Sequence, residues 1–137
     1  MSLSLDLSGF ANRSEAKMSQ IARKVFIDIS TDVIKKTPVA TGRARNNWLP
    51  EINKFSNISS LETGKQQGKN IKRVIDSTKR FKLGDTMTLN NNLSYIVSLE
   101  YGHSRQAPAG MLRVSFLKAQ RWVKLETMKA QKITWSK

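Results

Sequence analysis

A chain of 137 residues, 39% of them hydrophobic, is long enough to bury one core and fits a single domain over residues 1–137. It has no cysteine, which excludes a disulfide framework, a thiolate nucleophile and a cysteine-based metal site. The balance of 24 Lys+Arg against 10 Asp+Glu, formally +14, calls for a polyanionic or acidic partner, and no apolar run approaches the roughly 20 residues of a membrane helix.

Leu3, Leu5 and Leu7 alternate with Ser or Asp, a period-two pattern that fits a short strand or an extended arm over residues 1–9, with a frayed terminus as the alternative. The opening residues lack the basic and long apolar regions of a secretion signal, so export by that route is not expected. Asn12 and Glu15 have capping-box spacing. From there Met18, Ile21, Ala22, Val25, Ile29 and Val33, widened by Phe26 and Ile34, recur at three- and four-residue steps and predict a long amphipathic helix from about Arg13 to Lys36. Pro38 ends it by removing a donor and restricting Thr37.

Thr37 to Asn47 reads as a polar loop or single turn around Gly42, with Arg43 and Arg45 solvated or at an interface. No strand, Gly-rich loop and Lys-Ser/Thr pattern accompanies them, so a nucleotide cradle is not expected. Trp48, Leu49 and Ile52 begin an apolar stretch that Pro50 assigns to a sheet edge or bulge. Residues 53–68, rich in Asn, Ser and Gly, read as a mobile loop.

Lys65, Lys69, Lys72, Arg73, Lys79, Arg80 and Lys82 follow, opposed by Asp76 alone. Clustered cations of this kind form either a solvated face or a surface toward DNA or an acidic protein ring. Ile71, Val74, Ile75 and Phe81 among them fit both a short helix and a strand. Thr86 to Leu89 favour a strand, and Asn90, Asn91 and Asn92 a turn after it.

Ser94 to Met111 joins the bulky Tyr95, Ile96, Val97 and Leu99 to a reversal at Gly102, a polar loop and a helix start near Pro108. A second helix is expected from Ala109 to about Ala130, with Leu112, Phe116, Ala119 and Val123 on one side. Arg113, Lys118, Arg121, Lys124 and Lys129 lie opposite, with Val114, Leu117, Leu125 and Met128 among them. Contact with another subunit explains that second mixed face better than solvent does. Ile133 and Trp135 in the tail are further docking candidates.

Two stretches carry a resemblance. Leu99-Glu100-Tyr101-Gly102-His103-Ser104, then Gln106-Ala107-Pro108-Ala109-Gly110-Met111, resembles a signature of the bacteriophage tail-completion or neck (head–tail joining) proteins of the minor tail protein Z type. Thr37-Pro38-Val39-Ala40-Thr41-Gly42-Arg43-Ala44-Arg45, followed by Trp48, resembles that family's first motif. Ala40 stands where the family usually has Asp and Asn47 where it often has Ser, so the local cap that an Asp would make is missing. The resemblance implies an α+β fold in which a long N-terminal helix and a C-terminal helix pack on a small, mostly antiparallel sheet. It also implies a structural subunit that forms a ring, six copies to match a hexameric tail, completes the tail and joins it to the head, with genomic DNA passing through the channel. Its partners would be its own copies and neighbouring neck, connector or tail-terminator proteins, and its place the virion after assembly in the host cytoplasm.

On that reading Tyr101, Gly102, His103, Arg105, Gln106 and Met111 belong to a subunit interface, because a polar loop beside an apolar turn is poorly explained by packing within one copy. Pro38, Gly42, Arg43 and Trp48 form the turn motif, and Lys65, Lys69, Lys72, Arg73, Arg113, Arg121 and Lys124 face DNA or the adjoining ring. The alternative is a basic protein that coats DNA or RNA, which shares the charge but lacks a recognisable binding motif. Enzymatic chemistry, a cofactor and a metal are not expected. His103 is the one histidine, and only Asp28 and Asp32 among the ten carboxylates lie within four residues of each other.

Overall fold

A computed structural model describes residues 2–6, 15–54, 58–61, 63–64, 68–102 and 104–135, with side chains from Lys17 to Lys129. Asn12, Lys65 and His103, and with them the proposed capping box, lie outside the described residues. The elements in order are β1 (Ser2–Asp6), α1 (Glu15–Lys36), α2 (Arg43–Asn46), β2 (Leu49–Ile52), α3 (Gly68–Thr78), β3 (Thr86–Asn90), α4 (Ile96–Glu100) and α5 (Leu112–Trp135). This is an α+β fold with a long helix near each end and an antiparallel three-stranded sheet ordered β1-β3-β2.

Helix α1 is the scaffold. Its Ala22, Val25, Phe26, Ile29, Val33 and Ile34 are fully buried at the spacing that predicted them. Burial of each larger side chain stabilises by about 1.5–3 kcal/mol relative to exposure. The helix packs against α5 on one side and α3 on another, while α3 also meets β2. At its end Thr37 donates its backbone N–H to the carbonyls of Val33 and Ile34, and its hydroxyl to Val33 at 2.7 Å. Pro38 then blocks continuation.

Pro50 sits in β2, an edge strand, where its missing donor leaves the ladder to β3 intact. The period-two start of the chain supplies the other edge, with Ser2 to Asp6 in register against Asn90 to Thr86. The stretch whose spacing fitted two periods is the helix α3, and it buries Asn70, Val74, Ser77 and Thr78, positions one and two turns apart. Arg23 of α1 closes its C-terminal end by donating from Nε to the Thr78 carbonyl at 3.1 Å and from Nη2 to the Phe81 carbonyl at 2.7 Å.

The bulky run before Gly102 is a one-turn helix, α4, which buries Ile96 and Glu100 and turns Val97 and Tyr101 outward. On α5 Leu112, Ala119 and Val123 face the core as expected, joined by Ser115 and Trp122, but Phe116 is corrected: it points out and is 49% exposed. Ser115 takes the inward place because its hydroxyl donates to Asp32 of α1 at 2.6 Å. The helix also runs past the expected end near Ala130, to Trp135.

Candidate functional site

Gly42 begins the turn motif with φ +88°, and the Gly64 N–H donates to the Thr41 carbonyl at 2.8 Å across it. Where Ala40 supplies no cap, the Thr41 hydroxyl accepts the Arg43 N–H at 3.3 Å. Arg43 is half-buried, and its Nε donates to the Ser60 carbonyl at 3.2 Å. Asn47 locks the same segment, since its Oδ1 accepts the Ser60 N–H at 2.7 Å and its Nδ2 donates to the Ser60 carbonyl at 3.0 Å. Part of the stretch that read as a mobile loop is therefore bonded to the turn.

Arg45 is not solvated. Its buried guanidinium donates to the carbonyls of Ile34 at 3.0 Å, Lys35 at 3.2 Å and Thr37 at 3.3 Å, which satisfies the open end of α1 and places a cation at its negative pole. Trp48 is fully buried, and its indole N–H donates to the Thr37 hydroxyl at 2.8 Å. Arg45→Lys keeps the charge but loses the fork, and the expected cost is about 1–2 kcal/mol. A urea midpoint unchanged by that substitution would overturn the capping role.

The second motif is organised by Glu100, buried at 5% exposure. Its Oε2 accepts the backbone N–H groups of Met111 and Leu112, both at 2.8 Å, and its Oε1 accepts that of Arg113 at 2.9 Å. These are orphan donors of the first turn of α5, where the helix dipole favours a negative charge. The Arg113 side chain closes the arrangement, with Nε 3.2 Å from Oε1 and Nη2 2.7 Å from the Glu100 carbonyl, and lies 4.9 Å over the Tyr101 ring. Burial pushes the Glu100 carboxyl up, but the donors of Arg113, Met111 and Leu112 outweigh it and hold the carboxyl below its ordinary value.

The two motifs meet through Gln106. Its amide donates to the Val39 carbonyl at 3.2 Å and accepts the Val39 N–H at 2.8 Å, closing a separation of 67 residues. A pocket of about 230 Å³ lies at this junction, lined in part by Pro38, Thr41, Arg43, Tyr95 and Leu99.

Of the interface candidates, Tyr101 is 65% exposed and Arg105 and Gln106 are on the surface, with Gly102 half-buried. Met111 is corrected to a core residue, because as the first residue capped by Glu100 it is drawn wholly inside. Arg113 is held by Glu100 and Tyr101 while its side chain stays 57% exposed at the surface. Arg121 and Lys124 lie on the outer side of α5, with Leu117, Leu125 and Met128 exposed around them. The roles of Arg45 and Glu100 were not found from the sequence, since each depends on a contact 8 to 13 residues away.

Lys69, Lys72 and Arg73 come together in a cleft of about 700 Å³ between α3 and β2, joined there by Lys54 and Arg80. Its acids, Glu51 and Asp76, are each paired with a lysine: Glu51 with Lys54 at 3.7 Å and Asp76 with Lys79 at 3.3 Å. Arg73 donates from Nη1 to the Asn46 carbonyl at 3.2 Å, which ties the cleft to the turn motif.

Asp32 accepts from Lys36 and Ser115, each at 2.6 Å, and lies 3.4 Å from Lys118, so it joins α1 to α5. Burial pushes its carboxyl up, yet the bonds from Lys36 and Ser115 hold it below the ordinary value, whereas burial raises Asp28. Among the described residues no group of three or more His, Cys, Asp or Glu side chains could hold a metal, and no helix is long and apolar enough to cross a membrane. No protein-family model matches the chain, and neither a curated protein nor a solved structure is significantly similar to it.

Proposed function

We propose that the protein is a structural subunit of a bacteriophage neck or tail end, which assembles with its own copies into a ring, completes the tail and joins it to the head while DNA passes through. The observation that carries this reading is the junction of the two motif segments: Gln106 bonds both backbone groups of Val39, so the stretches that resemble the family build one surface. That surface borders exposed apolar groups, Tyr95, Val97 and Tyr101, of the kind a ring contact would cover. A ring closed by such head-to-tail contacts has a fixed bore. Six copies, neighbours among the connector and tail-terminator proteins, and a place in the virion follow from the resemblance.

The test uses residues outside the internal clamps. Val97→Asp with Arg105→Ala is expected to leave the melting temperature within a few degrees, as surface changes do, and to yield free tails and filled heads that do not join. Normal yields of joined, infectious particles from a host producing only this variant would overturn the reading. The competing reading, a protein that coats DNA or RNA, predicts tight, cooperative binding by the isolated chain, and free tails would not accumulate.

A further inference from the structure

We infer that the cleft between α3 and β2 is a sequence-independent site for the phosphodiester backbone of duplex DNA, and that the outer face of α5 is not. This rests on the proposed neck function for its setting, but on the cleft's own chemistry for its argument. Lys69, Lys72 and Arg73 stand at positions i, i+3 and i+4 of α3 and share one face, while Lys54 and Arg80 supply cations from the loops after β2 and α3. Among the described lining residues five cations stand against two carboxylates, a surplus of positive charge. Walls of low dielectric around a cleft concentrate such a field beyond what the same charges produce on a convex surface.

The lining chemistry selects the part of the nucleic acid that enters. Among the described residues that line the cleft none is aromatic, so this lining offers the unstacked bases of a single strand no ring to stack on. Nor is any of those described lining residues an Asn or Gln, the side chains that read adenine in the major groove. Arg73 is fixed by its bond to the Asn46 carbonyl. What remains are ammonium and guanidinium groups that suit phosphate oxygens, with the bases left inside their own duplex. The α5 face differs: Arg121 and Lys124 alternate with the exposed Leu117, Leu125 and Met128, apolar groups that gain nothing against a phosphate backbone.

The test is a fluorescence-anisotropy titration of the full chain with a short mixed-sequence duplex across a salt series. Each phosphate neutralised contributes about 0.9 to the slope of log affinity against log salt. The triple change Lys69→Gln, Lys72→Gln and Arg80→Gln should therefore lower the magnitude of the slope by about 2.7, with the helical circular dichroism and melting temperature unchanged. Arg121→Gln with Lys124→Gln should leave the slope within about 0.5 of the parent value. Asp76→Asn, which removes an acid from the cleft, should tighten binding a few-fold, a gain that general loss of structure cannot mimic. Equal loss of slope per cation from the cleft and α5 variants, no effect of the triple change, no measurable duplex binding by the parent chain at low salt, or a tenfold preference for single-stranded DNA or RNA would each overturn the proposal. The neck reading fails separately, through normal head–tail joining in the interface variant, so the two failures are distinguishable.

Discussion

Replacing Glu100 with Ala is expected to remove about 3 kcal/mol of stability and to fray the start of α5. The carboxylate accepts three backbone N–H groups and the Arg113 side chain. A capping side chain alone is worth about 1 kcal/mol, and buried donors left without a partner cost about 1–3 kcal/mol more. Arg113 adds little, because its side chain is largely exposed and its charge is screened. Glu100→Gln keeps an acceptor but not the charge, and should lose about half as much.

The pH dependence follows from the sign of the shift. Glu100 and Asp32 are both held below their ordinary values in the folded chain, so their contribution is present at neutral pH and is lost as pH falls through the folded values, below the usual carboxylate range. Asp28, raised by burial, acts in the opposite sense. Urea unfolding of the parent and the Glu100→Gln variant should therefore show a stability gap that is constant near neutrality and closes in acid. A gap that persists unchanged well below the carboxylate range would rule out the charged cap.

Gly42→Val is expected to cost about 3 kcal/mol or to detach Ser60 and Gly64 from the turn. Two effects add. The left-handed backbone, φ +88°, strains any L side chain by about 1–2 kcal/mol, and a Cβ there would sit 1.8 Å from the Gly64 carbonyl oxygen, a backbone atom that cannot rotate away. Gly64→Ala separates them, because Gly64 has φ +133° but nothing within 4 Å of an added Cβ. It should cost only the conformational part, about 1 kcal/mol. Equal melts for the two variants would mean that the close approach of the turn and the Gly64 segment contributes nothing.

Helix α1 was legible because its apolar residues repeat from Met18 to Ile34 and Pro38 supplies an unambiguous stop. The edge position of β2 followed from Pro50, and the left-handed turn from Gly42, since both residues restrict or free the backbone by their own covalent structure. The clustering of Lys69, Lys72 and Arg73 was visible for the same local reason.

Other features depended on what lay opposite. In α3 three of the four buried positions are the polar Asn70, Ser77 and Thr78, so hydrophobic period could not distinguish helix from strand. On α5 the stripe through Phe116 and the stripe through Ser115 both satisfy a helical repeat, and Asp32, 83 residues earlier, selects the second. Arg45 and Glu100 resembled ordinary charged loop residues until the end of α1 and the start of α5 came within hydrogen-bond reach. Local sequence by itself determined the backbone: where the long helix runs, where it stops, where a glycine must bend the chain. Only tertiary structure decided which charges are buried as caps and which line a cleft, because a cap is defined by unsatisfied groups on another element, and their approach is set by packing rather than by spacing along the chain.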